Sequence, residues 1–325
     1  MRPSHPPIDL SRPVSCWQGQ DLLDGQAVGS LTVILRTRGC RWRSCKMCGY
    51  ALEGAEATGQ DLLNQMENAL SRAAPARMVK IYTSGSFLDP VEVPPDARDR
   101  ILEMAASWGA QHLVLESRPE FITSESVSGC VRILPTTLGI GLETASDLIR
   151  ERIINKGFSF QDFAGASRVA RDGGATVKAY LLMKPPHLSE EEALADTISS
   201  IRKAEPHSDL ISLNLCNVQR GTPLERIWAR GGFRPPWLWS AVQVLKGASG
   251  RAVPVICDPV GAGSSRGPHN CGKCDSDFAS AIRRHALEQD GSVFDDLNCR
   301  CHEVWRAALR LEQRAFGSPL GMMIV

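Results

Sequence analysis

Short apolar runs that alternate with amphipathic stretches, from Leu31 to Leu215, constrain the fold of this chain more than any other feature. The runs are 31–36, 78–82, 111–115, 131–134 continuing to 139–142, 176–182 and 209–215, and they are rich in Val, Ile and Leu. Between them, residues 61–73, 95–108, 147–154, 160–172 and 190–204 carry apolar side chains at helical spacing. Strands alternating with helices of this length predict βα units and a parallel sheet, because parallel neighbours need a crossover connection. Gly157 and Gly173-Gly174 fit helix C-caps. Six such units suit an α/β fold, a partial or complete (β/α) TIM-like barrel, in which functional groups gather at the C-terminal strand ends. Residues 1–30, containing proline and weakly patterned, are expected to wrap over the first strand as an N-terminal extension, with the barrel core over 31–240.

The first run leads directly into Arg38-Gly39-Cys40-Arg41-Trp42-Arg43-Ser44-Cys45-Lys46-Met47-Cys48, which spaces three cysteines C-x4-C-x2-C on a loop leaving a strand. Three thiolates on one loop can hold three corners of a cubane [4Fe-4S] cluster and leave the fourth iron open for chemistry. A zinc knuckle is the plainer alternative, since Cys-x2-Cys is common in zinc sites. A zinc site normally closes with a fourth ligand, however, and the nearest upstream cysteine and histidine are Cys16 and His5. Ligand count therefore favours the cluster.

The other strand ends carry polar groups. The second runs into Thr83-Ser84-Gly85-Ser86-Phe87-Leu88-Asp89, whose small residues let backbone approach a ligand. The third ends at Glu116-Ser117-Arg118, the fourth at Gly141-Leu142-Glu143-Thr144, the fifth strand carries Lys178 and precedes Lys184, and the sixth leads to Asn214 and Asn217. A surface turn or a salt bridge explains any one of these; together they describe a polar mouth around the cysteine loop. That mouth suits S-adenosylmethionine. Its amino and carboxylate groups can chelate an open iron, Glu116 and Glu143 can accept from ribose hydroxyls, and Lys178 or Arg118 can pair with its carboxylate. Electron transfer from the cluster would then break the sulfonium C–S bond and release a 5′-deoxyadenosyl radical.

Formal net charge is +1, which gives no global basic field to capture nucleic acid. Locally, no acidic residue lies between Asp24 and Glu53, while Arg36, Arg38, Arg41, Arg43 and Lys46 crowd the cysteine loop. The segment Met1–Pro7 has no apolar core, so no signal peptide is expected, and no uncharged apolar run approaches the ~18 residues of a membrane helix. The eleven cysteines are therefore expected in a reducing cytoplasm, as metal ligands before disulfides. Beyond Trp239 the alternation fades and Cys271-x2-Cys274 and Cys299-x-Cys301 appear, with a helical stretch over 278–287 between them. Four cysteines in two close pairs can close a tetrahedral zinc site that staples a small C-terminal subdomain, taken as 241–325. His269 and His302 could substitute as ligands there, though flanking histidines more often support a site than join it; an auxiliary iron–sulfur cluster is the alternative, since four thiolates suit either metal. Cys16, Cys130, Cys216 and Cys257 read as buried thiols, and Trp237 and Trp239 as packing residues.

The stretches Thr37–Tyr50, Ser84–Asp89, Glu116–Glu120, Gly141–Thr144 and Asn155-Lys156-Gly157 together resemble radical SAM enzymes of the elongator-like branch. More narrowly, Val177–Pro186, Asn217–Thr222, Arg234–Ser240 and Gly267–Cys271 are similar to the archaeosine-biosynthesis members of that branch. The resemblance spans about residues 30–305; the four-residue first cysteine gap and Met47 depart from the general radical SAM pattern, and the elongator acetyltransferase domain is missing. It implies a radical SAM barrel and a tRNA-modifying activity with an archaeosine synthase α subunit, tRNA and an electron donor as partners. The α subunit would add lysine to the nitrile of 7-cyano-7-deazaguanine in the D-loop of archaeal tRNA. The radical enzyme would then cleave the C–N bond within that adduct, leaving archaeosine and a lysine-derived aldehyde. Another substrate for the same branch, or a zinc-stapled RNA- or partner-binding protein, are the alternatives.

Overall fold

The computed structural model describes residues 9–316, so the outer ends of the expected extension (1–8) and subdomain (317–325) lie outside the described residues. Eight strands form one sheet in the order β1 (Ser15–Leu23), β2 (Gln26–Ile34), β3 (Met78–Tyr82), β4 (His112–Ser117), β5 (Thr136–Glu143), β6 (Thr176–Met183), β7 (Leu210–Leu215) and β8 (Val255–Ile256). All neighbours from β2 to β8 are parallel; only β1 runs antiparallel, paired with β2 along its full length. The sheet curls into a half-barrel, and the predicted βα units are present.

Helices α1 (Gly59–Leu70), α2 (Pro95–Trp108), α3 (Ser124–Val131), α4 (Phe160–Asp172) and α5 (Glu190–Ala204) provide crossovers. Sequence chemistry sets their starts: Thr58, Thr123, Ser159 and Ser189 each close a capping box with the residue three positions on. Alternation then assigns the two faces of each strand. Val177, Ala179, Leu181 and Met183 of β6 join the core between sheet and helices, while Lys178 and Tyr180 take the other parity and face the lumen. The lumen is thus polar, with Lys80 and Tyr82 on successive inward positions of β3 and with Glu116 and Lys178 on one rung either side of Gly139.

Two expectations are corrected. The early chain is a regular edge strand rather than a wrapping segment; residues Ser15–Gln20 of β1 are exposed, which is why no apolar alternation marks it. Residues 131–134 are the end of α3 and its turn, and β5 begins at Thr136.

After β7, α6 (Pro223–Ala229) and α7 (Leu238–Ala248) lead to β8, then α8 (Asp275–Glu288) and α9 (Cys301–Phe316). Helix α8 packs on β8 and also on β1 and β2, covering the seam between the two edges of the open sheet. Among the described residues, no helix is long and apolar enough to cross a membrane.

Candidate active site and metal centre

The loop bearing Cys40, Cys45 and Cys48 has little regular structure and is shaped by its attachments. Thr37 Oγ1 accepts from the Gly39 N–H at 3.1 Å and donates to Glu92. The other carboxylate oxygen of buried Glu92 accepts from Ser86 N–H at 2.6 Å, so one side chain ties the cysteine loop to the Ser84-Gly85-Ser86 turn. A Cβ at Gly85 would run into the Cys40 backbone, so the small residue predicted from sequence serves close backbone contact.

On its other side, the loop is clasped by the segment after the single wide helical turn Ile149–Ile154. Lys46 N–H donates to Ile154 O at 2.9 Å, Trp42 Nε1 to Asn155 O at 2.7 Å, and Asn155 Nδ2 to Ser44 O at 3.1 Å. Gly157, at φ +78°, lies under the Trp42 ring, where a Cβ has no room. Arg118 stacks over Trp42 and Phe158, each at 5.3 Å, pairs with Glu120 at 2.6 Å and donates to Lys156 O at 2.9 Å. Its guanidinium is committed to building the mouth.

Glu143 ends β5 at a register shift, with φ +66°, a costly backbone for a side chain with a Cβ. This turns its carboxylate onto Lys156 Nζ at 2.6 Å, both side chains being largely buried. Burial opposes the Lys156 charge, but Glu143 and the thiols of Cys45 and Cys48 outweigh it and raise the ammonium pKa above its usual range. Burial also pushes the Cys45 thiol up to about 11, with Lys156 pulling it back. Lys156 is therefore the cation that faces the thiols, a role sequence reading missed; the pairing to Glu143 spans 13 residues and leaves no periodic trace. Glu116 sits deeper, hydrogen-bonded by the Tyr180 hydroxyl, and burial raises its carboxyl above the usual range.

Two of the expected ligand-binding lysines stand elsewhere. Lys184 is enclosed, with Glu190 at 2.8 Å and Glu312 at 3.0 Å, so its charge is spent holding α5 and α9 to the end of β6. Lys178 is the third residue of β6 and lies level with Gly139, well below Glu143, which pairs with Leu181. The mouth itself gathers Cys40, Cys45, Cys48, Ser84, Gly85, Ser86, Arg118 and Glu143, with Lys156 and Glu92 added, and Glu116 stands below it on the rung of Lys178.

The second cysteine set forms a compact centre. The ligating atoms of Cys271, Cys274, Cys299 and Cys301 all lie within 4.8 Å of one another, with Sγ–Sγ separations of 3.9 Å for 271–274 and 3.7 Å for 271–299 and 274–301. A tetrahedron of thiolates ~2.3 Å from one ion has edges of roughly 3.8 Å, so this donor set fits a single metal ion rather than a many-atom cluster. Asn270 Nδ2 and Trp239 Nε1 donate to Cys274 and Cys301 sulfurs at 3.5 and 3.3 Å, the outer support that thiolate ligands use. His269 bonds Gly267 O and His302 packs on Trp239 and Trp305, so neither joins the four thiols. The loop thiols Cys40, Cys45 and Cys48 form no such close group among the described residues.

No family model matches the chain. It is 44% identical over 327 residues, 97% of this chain and 94% of the relative, to archaeosine synthase subunit beta of Methanosarcina acetivorans. The chain belongs to the archaeosine synthase subunit beta family. A second relative of the same name, from Thermococcus kodakarensis, is 40% identical over 89% of this chain and 94% of its own length. In fold, this archaeosine synthase β-family chain matches the archaeal Elp3 of Methanocaldococcus infernus with an N-terminal deletion, at TM-score 0.51 and 16% identity over 69% of this chain and 58% of that one. The two chains thus share the half-barrel fold.

Proposed function

We propose that the protein is a radical SAM enzyme of tRNA modification that carries out the β-subunit step of archaeosine synthesis. Acting with an archaeosine synthase α subunit, it would cleave the C–N bond within the lysine adduct of 7-cyano-7-deazaguanine in the D-loop of archaeal tRNA. The observation that carries this reading is the loop of three thiols at the mouth of the half-barrel, faced by the Glu143–Lys156 pair. The two relatives named archaeosine synthase subunit beta supply the substrate class.

Cys40, Cys45 and Cys48 would hold a [4Fe-4S] cluster, which when bound supplies an open iron for S-adenosylmethionine and the electron that cleaves its sulfonium bond. The chain's own groups orient and enclose. Gly85 lets the cysteine loop pack directly on the Ser84–Ser86 turn, Glu143 is poised to accept from ribose hydroxyls, and Arg118 braces Trp42 against the turn at Gly157. Lys156 balances the charge of the thiolates in a partly buried setting. A base held in the tRNA core must be splayed out to reach this mouth. With net charge of +1, the chain leaves most tRNA affinity to the α subunit. Zinc in the four-cysteine centre is supported by the sulfur separations, a cytoplasmic setting by the free thiols, and reduction by an external electron donor.

Anaerobic reconstitution followed by metal analysis and 5′-deoxyadenosine assay tests this directly. About four irons and one zinc per chain with adenosylmethionine cleavage are expected, together with archaeosine from lysine-modified tRNA. Cys45→Ala should abolish cleavage while the protein stays folded; retained cleavage would reject the site.

A further inference from the structure

Below the mouth, the lumen holds a second cavity at the N-terminal ends of the strands. It measures about 140 Å³ and is lined by Asp21, Lys80, Thr137, Thr176, Lys178 and Asp209, among others. That is space for on the order of ten water-sized positions, enough for a small aliphatic amino acid. Its charges are unevenly matched. Lys80 Nζ lies 2.6 Å from Asp21 Oδ2, and Ser30 Oγ donates to the same oxygen at 2.6 Å. Asp209 binds Arg171 and accepts from Val177 N–H at 2.7 Å. Lys178, by contrast, is 6% exposed and has no carboxylate within 4.0 Å among the described residues; its Nζ lies over the Tyr180 ring, 4.9 Å from the centroid.

A buried ammonium without a counter-ion is costly and is kept where an anion completes it. Burial, helped by Lys80, pushes the Lys178 pKa down to about 8, against the pull of Asp21 and Glu116. Its neighbours relieve it only in part. Glu116 stands two strands away on the same rung, beyond Gly139, and the Tyr180 ring occupies the space over Gly139 while its hydroxyl bonds Glu116.

We propose that this inner cavity is a carboxylate-binding site built on Lys178, which takes the carboxylate end of an aliphatic amino acid. Asp24 on the same wall offers the complementary charge for the amino group of such a ligand, Asp21 being held by Lys80 and Ser30. The choice of an amino acid rests on the reading of the mouth as acting on a lysine adduct. The carboxylate could come from the tethered lysine tail reaching down the lumen, about three rungs or ~10 Å below Glu143, or from an amino acid free of tRNA.

The test compares L-lysine with cadaverine, which has the same chain and no carboxylate, on the full-length protein and on Lys178→Met and Lys178→Arg. Removing an unpaired buried charge should not lower the melting temperature of Lys178→Met, so folding is not the obstacle. Saturable L-lysine binding, at least tenfold tighter than cadaverine, lost in Lys178→Met and retained in Lys178→Arg, supports the site with a free amino acid as source. A tenfold or larger rise in KM of Lys178→Met on lysine-modified tRNA, absent on cadaverine-modified tRNA, supports the tethered tail. Equal behaviour of wild type and Lys178→Met in both comparisons overturns the proposal. If wild type does not act on lysine-modified tRNA at all, the proposed activity has failed instead, and the free-ligand binding alone decides the site.

Discussion

The Glu143–Lys156 pair gives the sharpest quantitative handle on the mouth. At 2.6 Å, with both side chains largely out of water, their attraction is about 6 kcal/mol at an effective dielectric of 20. Desolvation of two ions offsets most of that, so the pair contributes little net stability while its rupture is expensive. Lys156→Met leaves a buried carboxylate on a strained residue and should cost about 3 kcal/mol. Glu143→Gln leaves an ammonium still facing two thiols, a softer loss of about 1–2 kcal/mol. The double variant, free of any unpaired charge, should cost roughly 2 kcal/mol less than the sum of the singles. Urea unfolding of the four proteins under reducing conditions, with slopes compared to check that the transition is unchanged, measures this coupling. A coupling within about 0.5 kcal/mol of zero would refute the claim that the pair holds the mouth together.

Burial raises Asp196 to about 6, despite its hydrogen bond from Thr144. An acid whose folded pKa lies above its unfolded value favours folding most below pH 4 and loses that contribution as pH rises through 6. Asp196→Asn should therefore gain up to about 3 kcal/mol over wild type between pH 4 and pH 7; parallel stability profiles would contradict it. Metal removal by a chelator, or Cys299→Ala, should lower the melting temperature by roughly 10 °C, and an unchanged value would reject a structural metal.

Much of the scaffold was legible because it is local. The bounds of β3, α2, α4 and α5 follow from periodicity and from capping residues such as Ser159 and Ser189. The cysteine loop and the four-cysteine centre were legible from spacing alone. What escaped is what depends on distant pairing. Glu92 reaches Thr37 across 55 residues, and nothing in Val91-Glu92-Val93 announces it. Strand β1 is held by β2 and carries no buried stripe of its own. Lys184 looked like a mouth residue because it follows a strand, yet its partners come from α5 and from α9. Lys178 could have been placed better: the third residue of an eight-residue strand cannot stand at its C-terminal end.

The long reach of these attachments has a consequence for how the protein is made. Cys48 leaves the ribosome more than a hundred residues before Ile154 and Asn155, which grip its loop, and α8 and Glu312 come later still. At about 5–20 residues per second, the thiols wait on the order of tens of seconds before the chain that shelters them exists. Any iron–sulfur group would therefore find its enclosed site only once Asn155 has emerged, and the interval before that is when the loop thiols are most open to oxidation.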